Sequence, residues 1–192
     1  MIYVRDKGQM CNNILQFAHV YAFARENGRR AVSMRFSYKY PYFRICKSPK
    51  HNFLRYVLAK FSAAAGWMPT VSYDTPGETS PEKEHIILSA RNVMVQGWEV
   101  RFYDLFLKHL DEIRSLFAFL PEVEKAAATT IVTREGRLKL GLHVRRGDYA
   151  RWNGGRYYFS DRQYAAMAAR FAALNSGKEL TVLVCTNDPD ID

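Results

Sequence analysis

The chain has 192 residues, enough for one large domain or for one domain and part of another. Hydrophobic residues make up 48% and charged residues 24%, which excludes a disordered chain, a collagen-like repeat and a coiled coil. The net charge of +9 is uneven: residues 1–70 hold 12 Lys/Arg against 2 Asp/Glu, and residues 71–192 hold 16 against 17.

Ile2, Tyr3 and Val4 predict a short strand. Asp6-Lys7-Gly8-Gln9 breaks it, and Asn12 or Asn13 can cap a helix. Ile14, Leu15, Phe17, Ala18, Tyr21 and Ala22 recur at helical spacing until Asn27-Gly28. Arg30–Met34 predicts the next strand, so the chain opens as a βαβ layered fold. Tyr38, Tyr40, Tyr42 and Phe43 crowd around Pro41, and Phe53–Ala65 predicts a basic helix. Pro69, Pro76, Gly77 and Pro81 mark a polar loop. Ile86-Ile87-Leu88 and Val93-Met94-Val95 predict strands. Leu105, Phe106, Leu110, Ile113 and Phe117 predict a helix that Pro121 stops, and another follows over about 122–134. Leu138–Val144 alternates as a strand, with Lys139, Gly141, His143 and Arg145 on one face. Ser160-Asp161-Arg162-Gln163 is a capping box that opens a helix to about Leu174. Tyr164, Met167, Ala168 and Phe171 form its apolar stripe, and Leu180–Cys185 is the last strand.

No apolar run is long enough for a membrane-spanning helix, and the N-terminus lacks a signal-peptide core. Cys11, Cys46 and Cys185 fit a reducing cytoplasm and read as small buried hydrophobes. Basic residues attract phosphates, whether of nucleic acid, lipid headgroups or a nucleotide, or else keep a surface solvated. Phe53–Phe61 is amphipathic and basic enough to lie on a membrane, or its apolar side faces the core. A nucleic-acid binder would use the same basic region with the tyrosines, but no nucleic-acid motif supports that class.

The sharpest chemical feature is Gly141-Leu142-His143-Val144-Arg145-Arg146-Gly147-Asp148-Tyr149. A strand delivers two arginines to its C-terminal end, the ligand-binding edge of open α/β sheets. Arginine forks match phosphate oxygens bidentately, although Asp148 also offers them a structural salt bridge. His143 is either a donor contact or a packed strand residue. Asp148 can orient an arginine or accept a hydroxyl proton. Asn12 can cap its helix or meet a sugar or phosphate. Asp188-Pro189-Asp190-Ile191-Asp192 has an Asp-x-Asp pattern, read as a polar turn, and no metal site is expected.

His143–Tyr149 resembles the signature of the α-1,2-fucosyltransferases, glycosyltransferase family 11. The family's Gly-x-x-Gly-Asn-Gln segment is echoed at 8–18, where Gly8, Asn12, Gln16 and Ala18 fit. Cys11 and Asn13 depart from that pattern by standing where the family has glycine and glutamine. Gln96-Gly97-Trp98-Glu99, Phe102, Ile113–Phe117, Tyr157–Asp161 and Asn187-Asp188 echo further segments. The resemblance implies a GT-B-like α/β fold with two Rossmann-like halves. Residues 1–125 would form the acceptor-side domain, and 126–192 would begin the donor domain, which stays incomplete because family members are longer by roughly half this length. It implies metal-independent, inverting transfer of fucose from GDP-fucose to a glycan acceptor, with no cofactor. Arg145, Arg146 and Asp148 would be catalytic, His143, Arg145 and Arg146 would bind the donor, and Gly8 and Asn12 would form a substrate loop. A cytoplasmic protein at the inner membrane face, contacting no nucleic acid, is the accompanying expectation. An inactive fragment of the same fold is the alternative.

Overall fold

The computed structural model describes residues 1–76, 80–130 and 136–188. The chain divides into two units, Met1–Glu124 and Lys125–Asp192.

The first unit is built on four parallel strands in the order β2-β1-β4-β3: β1 (Ile2–Arg5), β2 (Ala31–Ser33), β3 (Thr70–Ser72) and β4 (Val93–Gln96). Strand alternation sends Ile2, Val4, Val93 and Val95 to one face. There they pack with Phe17, Val20 and Phe23 of helix α1 (Met10–Glu26). On the other side, Met94 packs with Met34, Met68 and Ala59 of helix α2 (Phe53–Ala64). Helices thus flank both sheet faces, as a parallel sheet requires.

Several elements differ from the sequence expectations. Helix α1 begins at Met10 behind Gln9, so Asn12 and Asn13 lie inside its first turn and neither is the cap. The polar loop contains strand β3, and Gly77 lies outside the described residues. Ile86-Ile87-Leu88 is helical, in α3 (Pro81–Ser89). Ser80 accepts from the Lys83 amide at 3.3 Å and Pro81 presets the first turn, so capping overrides the short apolar run. Arg29 then ties that helix down by donating to the carbonyls of Ile87 and Ala90 at 2.7 and 2.6 Å. The helix expected from Phe102 splits at His109 into α4 (Tyr103–Lys108) and α5 (Leu110–Leu116). Helix α6 (Pro121–Thr130) follows, and the expected continuation over 131–134 lies outside the described residues.

In the second unit, β5 (Leu138–Val144) pairs in parallel with β6 (Leu180–Thr186), joined through helix α7 (Asp161–Leu174). The capping box at Ser160 and Gln163 forms as expected. The stripe on α7 is thinner than expected: Tyr164 is buried, Ala168 and Phe171 are half-buried, and Met167 is exposed. Two strands offer a narrow apolar surface, which receives only the centre of the stripe. Cys11 and Cys185 are exposed and Cys46 is half-buried, so none is the buried hydrophobe expected.

Candidate functional site

In the second unit, β5 ends at Val144 and hands the chain to two arginines. Arg145 keeps 31% of its side chain exposed. Its guanidinium donates to Asp148 Oδ1 at 2.9 Å and lies 4.7 Å above the ring of Tyr149. Its buried Nε has no hydrogen-bond partner. Such an exposed pair contributes at most about 1 kcal/mol. A doubly charged oxyanion can therefore displace Asp148 from the guanidinium.

Arg146 has the opposite environment, with 5% of its side chain exposed. The guanidinium donates to the Phe159 carbonyl and to Asp161 Oδ1, and its Nε stands 3.6 Å from Asp188 Oδ2. Tyr158 and Tyr164 cover it at 4.9 and 5.4 Å. Asn187 fixes the backbone, accepting from the Arg146 amide at 2.8 Å and donating to its carbonyl at 3.3 Å. Sequence reading set both arginines at one diphosphate, whereas here Arg146 is occupied with internal partners and only Arg145 faces outward. His143 is exposed on β5, in register with Cys185. Of the Asp-x-Asp segment, 189–192 lie outside the described residues. Among the described residues no cluster of three or more metal-ligating side chains forms.

In the first unit, Gly8 and Asn12 come together in the loop between β1 and α1. Gly8 has φ +90°, and a Cβ there would lie 2.7 Å from Asn12 Nδ2. Gln16, buried in α1, holds the loop by donating to the carbonyls of Lys7 and Asn12 at 2.7 and 3.0 Å. It also accepts from the Lys7 amide at 3.1 Å. Asn13 is buried and donates to the Gly8 carbonyl at 3.3 Å.

A site missed by sequence reading lies on the other side of that sheet. A pocket of about 580 Å³ opens between α2 and the strand ends, lined by Arg5, Lys7, Arg35, Lys60, Tyr38 and Tyr56 among others. Asp6 is its one acidic wall residue and is buried. Ser33 Oγ donates to Asp6 Oδ2 at 2.6 Å, and burial pushes the Asp6 carboxyl up to about 7. The pocket is therefore cationic at neutral pH, with aromatic rings on one wall. The signal in the sequence was the acid-poor first 70 residues, but periodicity does not reveal which cations converge.

No protein-family model and no curated protein sequence matches the chain. Among solved structures, the chain is similar to the NodZ alpha-1,6-fucosyltransferase co-crystallized with GDP. The TM-score is 0.52 at 14% identity, over 98% of this chain and 72% of that one. The protein thus shares the GT-B-like α/β fold of a fucosyltransferase.

Proposed function

We propose that the protein is a fucosyltransferase that moves L-fucose from GDP-fucose to a hydroxyl of a glycan. The second unit would bind the donor, and the cationic pocket of the first unit would receive the acceptor. The observation that carries this reading is Arg145, an outward-facing guanidinium at the C-terminal end of a parallel strand. The fold similarity and the His143–Tyr149 resemblance support the same assignment.

Loss of the nucleoside diphosphate leaves an oxocarbenium-like sugar, and negative charge grows on the departing phosphate oxygen. Arg145 would stabilise that charge, so no step needs a metal ion. Asp148 and Tyr149 hold the guanidinium in place before the donor arrives. Arg146 acts through position, fixing the turn that aims Arg145. His143 would add a polar contact to the donor. Attack by the acceptor hydroxyl from the face opposite the diphosphate inverts the anomeric carbon, and the resemblance suggests an α-1,2 linkage.

Calorimetric titration with GDP tests the reading. Saturable binding that Arg145→Ala abolishes is expected, together with fucose transfer that persists in chelator. Absence of GDP binding, or equal binding by the variant, overturns it. Linkage analysis of the product decides between α-1,2 and other linkages.

A further inference from the structure

Helix α2 turns only part of its surface inward. Ala59 is buried, and Tyr56 and Ala63 pack beside it against Met34, Met68 and Met94. The opposite side is apolar and open to solvent. Phe53, Leu54, Leu58 and Phe61 are 58–69% exposed, Val57 is 42% exposed, and Trp67 just beyond the helix is 75% exposed. Phe61 and Trp67 meet edge to face with centroids 5.7 Å apart, which extends the patch past the helix end. At about 100° per residue, Phe53, Leu54, Val57, Leu58 and Phe61 share one continuous arc. Arg55 borders the arc on one side and Lys60 on the other.

The charge along this stretch of chain has one sign. Residues 27–73 contain nine Lys/Arg and no Asp/Glu. Isolated exposed hydrophobics need no explanation, but an apolar arc rimmed by cations does. A second copy docked through this same face would set the cations of this segment against one another. The complementary partner is apolar inside and anionic at its surface. Arginine and lysine at the edges of an amphipathic helix reach headgroup phosphates while the central side chains enter the acyl boundary. Attraction to an anionic bilayer strengthens with each nearby cation.

We propose that α2 is a docking helix that lays the first unit on an anionic membrane surface. Among the described residues no helix is long and apolar enough to cross a bilayer. This inference does not depend on the transferase reading. The cationic pocket shares Tyr56 and Lys60 with the same helix, so docking would bring the pocket to the headgroup layer.

The test is co-sedimentation of the full chain with vesicles of phosphatidylcholine alone and of phosphatidylcholine mixed with phosphatidylglycerol. Binding to the mixed vesicles, weakening as salt rises, is expected. The double variant L54E/L58E should lower the partition coefficient by at least about tenfold, since each leucine loses its burial in the acyl boundary. The variant R55E should weaken binding only to the anionic vesicles. Both positions of the double variant are exposed, so circular dichroism and thermal midpoint should match the parent. No binding by the parent chain, or equal binding by L54E/L58E, overturns the proposal. So does a parent dimer in sedimentation velocity that L54E/L58E converts to monomer, because a second copy would then own the face.

Discussion

Arg145 and Arg146 are adjacent in the chain and opposite in environment, with side chains 31% and 5% exposed. Extended backbone throws successive side chains to opposite sides, and Arg146 is extended at φ −128° and ψ −154°. One arginine therefore points out because the other points in. Gly147, at φ +66°, then turns the chain so that Asp148 comes back to Arg145.

Arg145→Lys keeps the charge and loses the planar fork. In the proposed reaction the turnover rate should fall by about 100-fold, the effect of losing one preorganised donor at a developing oxyanion. The pair with Asp148 is exposed, so the thermal midpoint should move little. Initial rates with GDP-fucose and a melting curve measure both. Unchanged turnover would remove Arg145 from the mechanism, and a collapsed midpoint would make its partnership with Asp148 structural.

Arg146→Met has a different expected result. The Phe159 carbonyl and Asp161 lose their donor, which should destabilise the second unit by about 1–3 kcal/mol. Amide hydrogen exchange should accelerate in β5, β6 and α7 and stay unchanged in β1 and β4. Normal exchange combined with lost GDP binding would show that Arg146 touches the ligand itself.

The alternation of Leu138–Val144, the capping box at Ser160 and the helix at 53–64 were legible because each rests on local periodicity or on a reciprocal pair of side-chain-to-backbone bonds three residues apart. Ile86–Leu88 was not, because a three-residue apolar run fits either a strand or a helix until Ser80 and Pro81 decide it. The separate fates of Arg145 and Arg146 were not legible either. They depend on Phe159, Asp161, Asn187 and Asp188, which sequence spacing does not bring to the turn. The pocket of the first unit has the same cause, since Arg5 comes from β1, Arg35 from the loop after β2 and Lys60 from α2. The amphipathic character of α2 was visible, but which side the core would claim was set by Met34, Met68 and Met94.

Gly97 shows a constraint that no side chain carries. Its φ is +112°, and a Cβ there would run into the carbonyl oxygen of Tyr73. Tyr73 is buried beside Phe102, and its carbonyl accepts from the Glu99 amide at 3.1 Å. Gly97→Ala should destabilise the first unit by more than about 1 kcal/mol, the ordinary penalty for a side chain at positive φ, with the clash in addition. Urea unfolding measures it, and a variant as stable as the parent would refute the turn geometry.

The pH dependence of stability near neutrality follows from four groups in the first unit whose protonation burial shifts. Burial pushes Asp6 up to about 7 from 3.8, and it lowers His19 and His51 to about 4 from 6.5. Between pH 4 and 6.5 the unfolded chain holds a proton on each histidine that the folded chain lacks. Over the same range the folded chain holds a proton on Asp6 that the unfolded chain lacks. Two protons outweigh one, so stability should rise with pH up to about 6.5. From there to about 7 Asp6 holds an extra proton in the folded chain, which lowers stability as pH rises, while the Met1 ammonium, lowered from 8.0 chiefly by burial, acts in the opposite direction, so the rise should level off. Asp6→Asn can still accept from Ser33 Oγ and has no proton to lose. That variant should climb more steeply between pH 4 and 6.5 and keep rising above it, where the parent levels off. Chemical denaturation at half-unit pH steps gives both curves. Parallel curves for parent and variant would mean that Asp6 titrates in the folded protein as it does in the unfolded one.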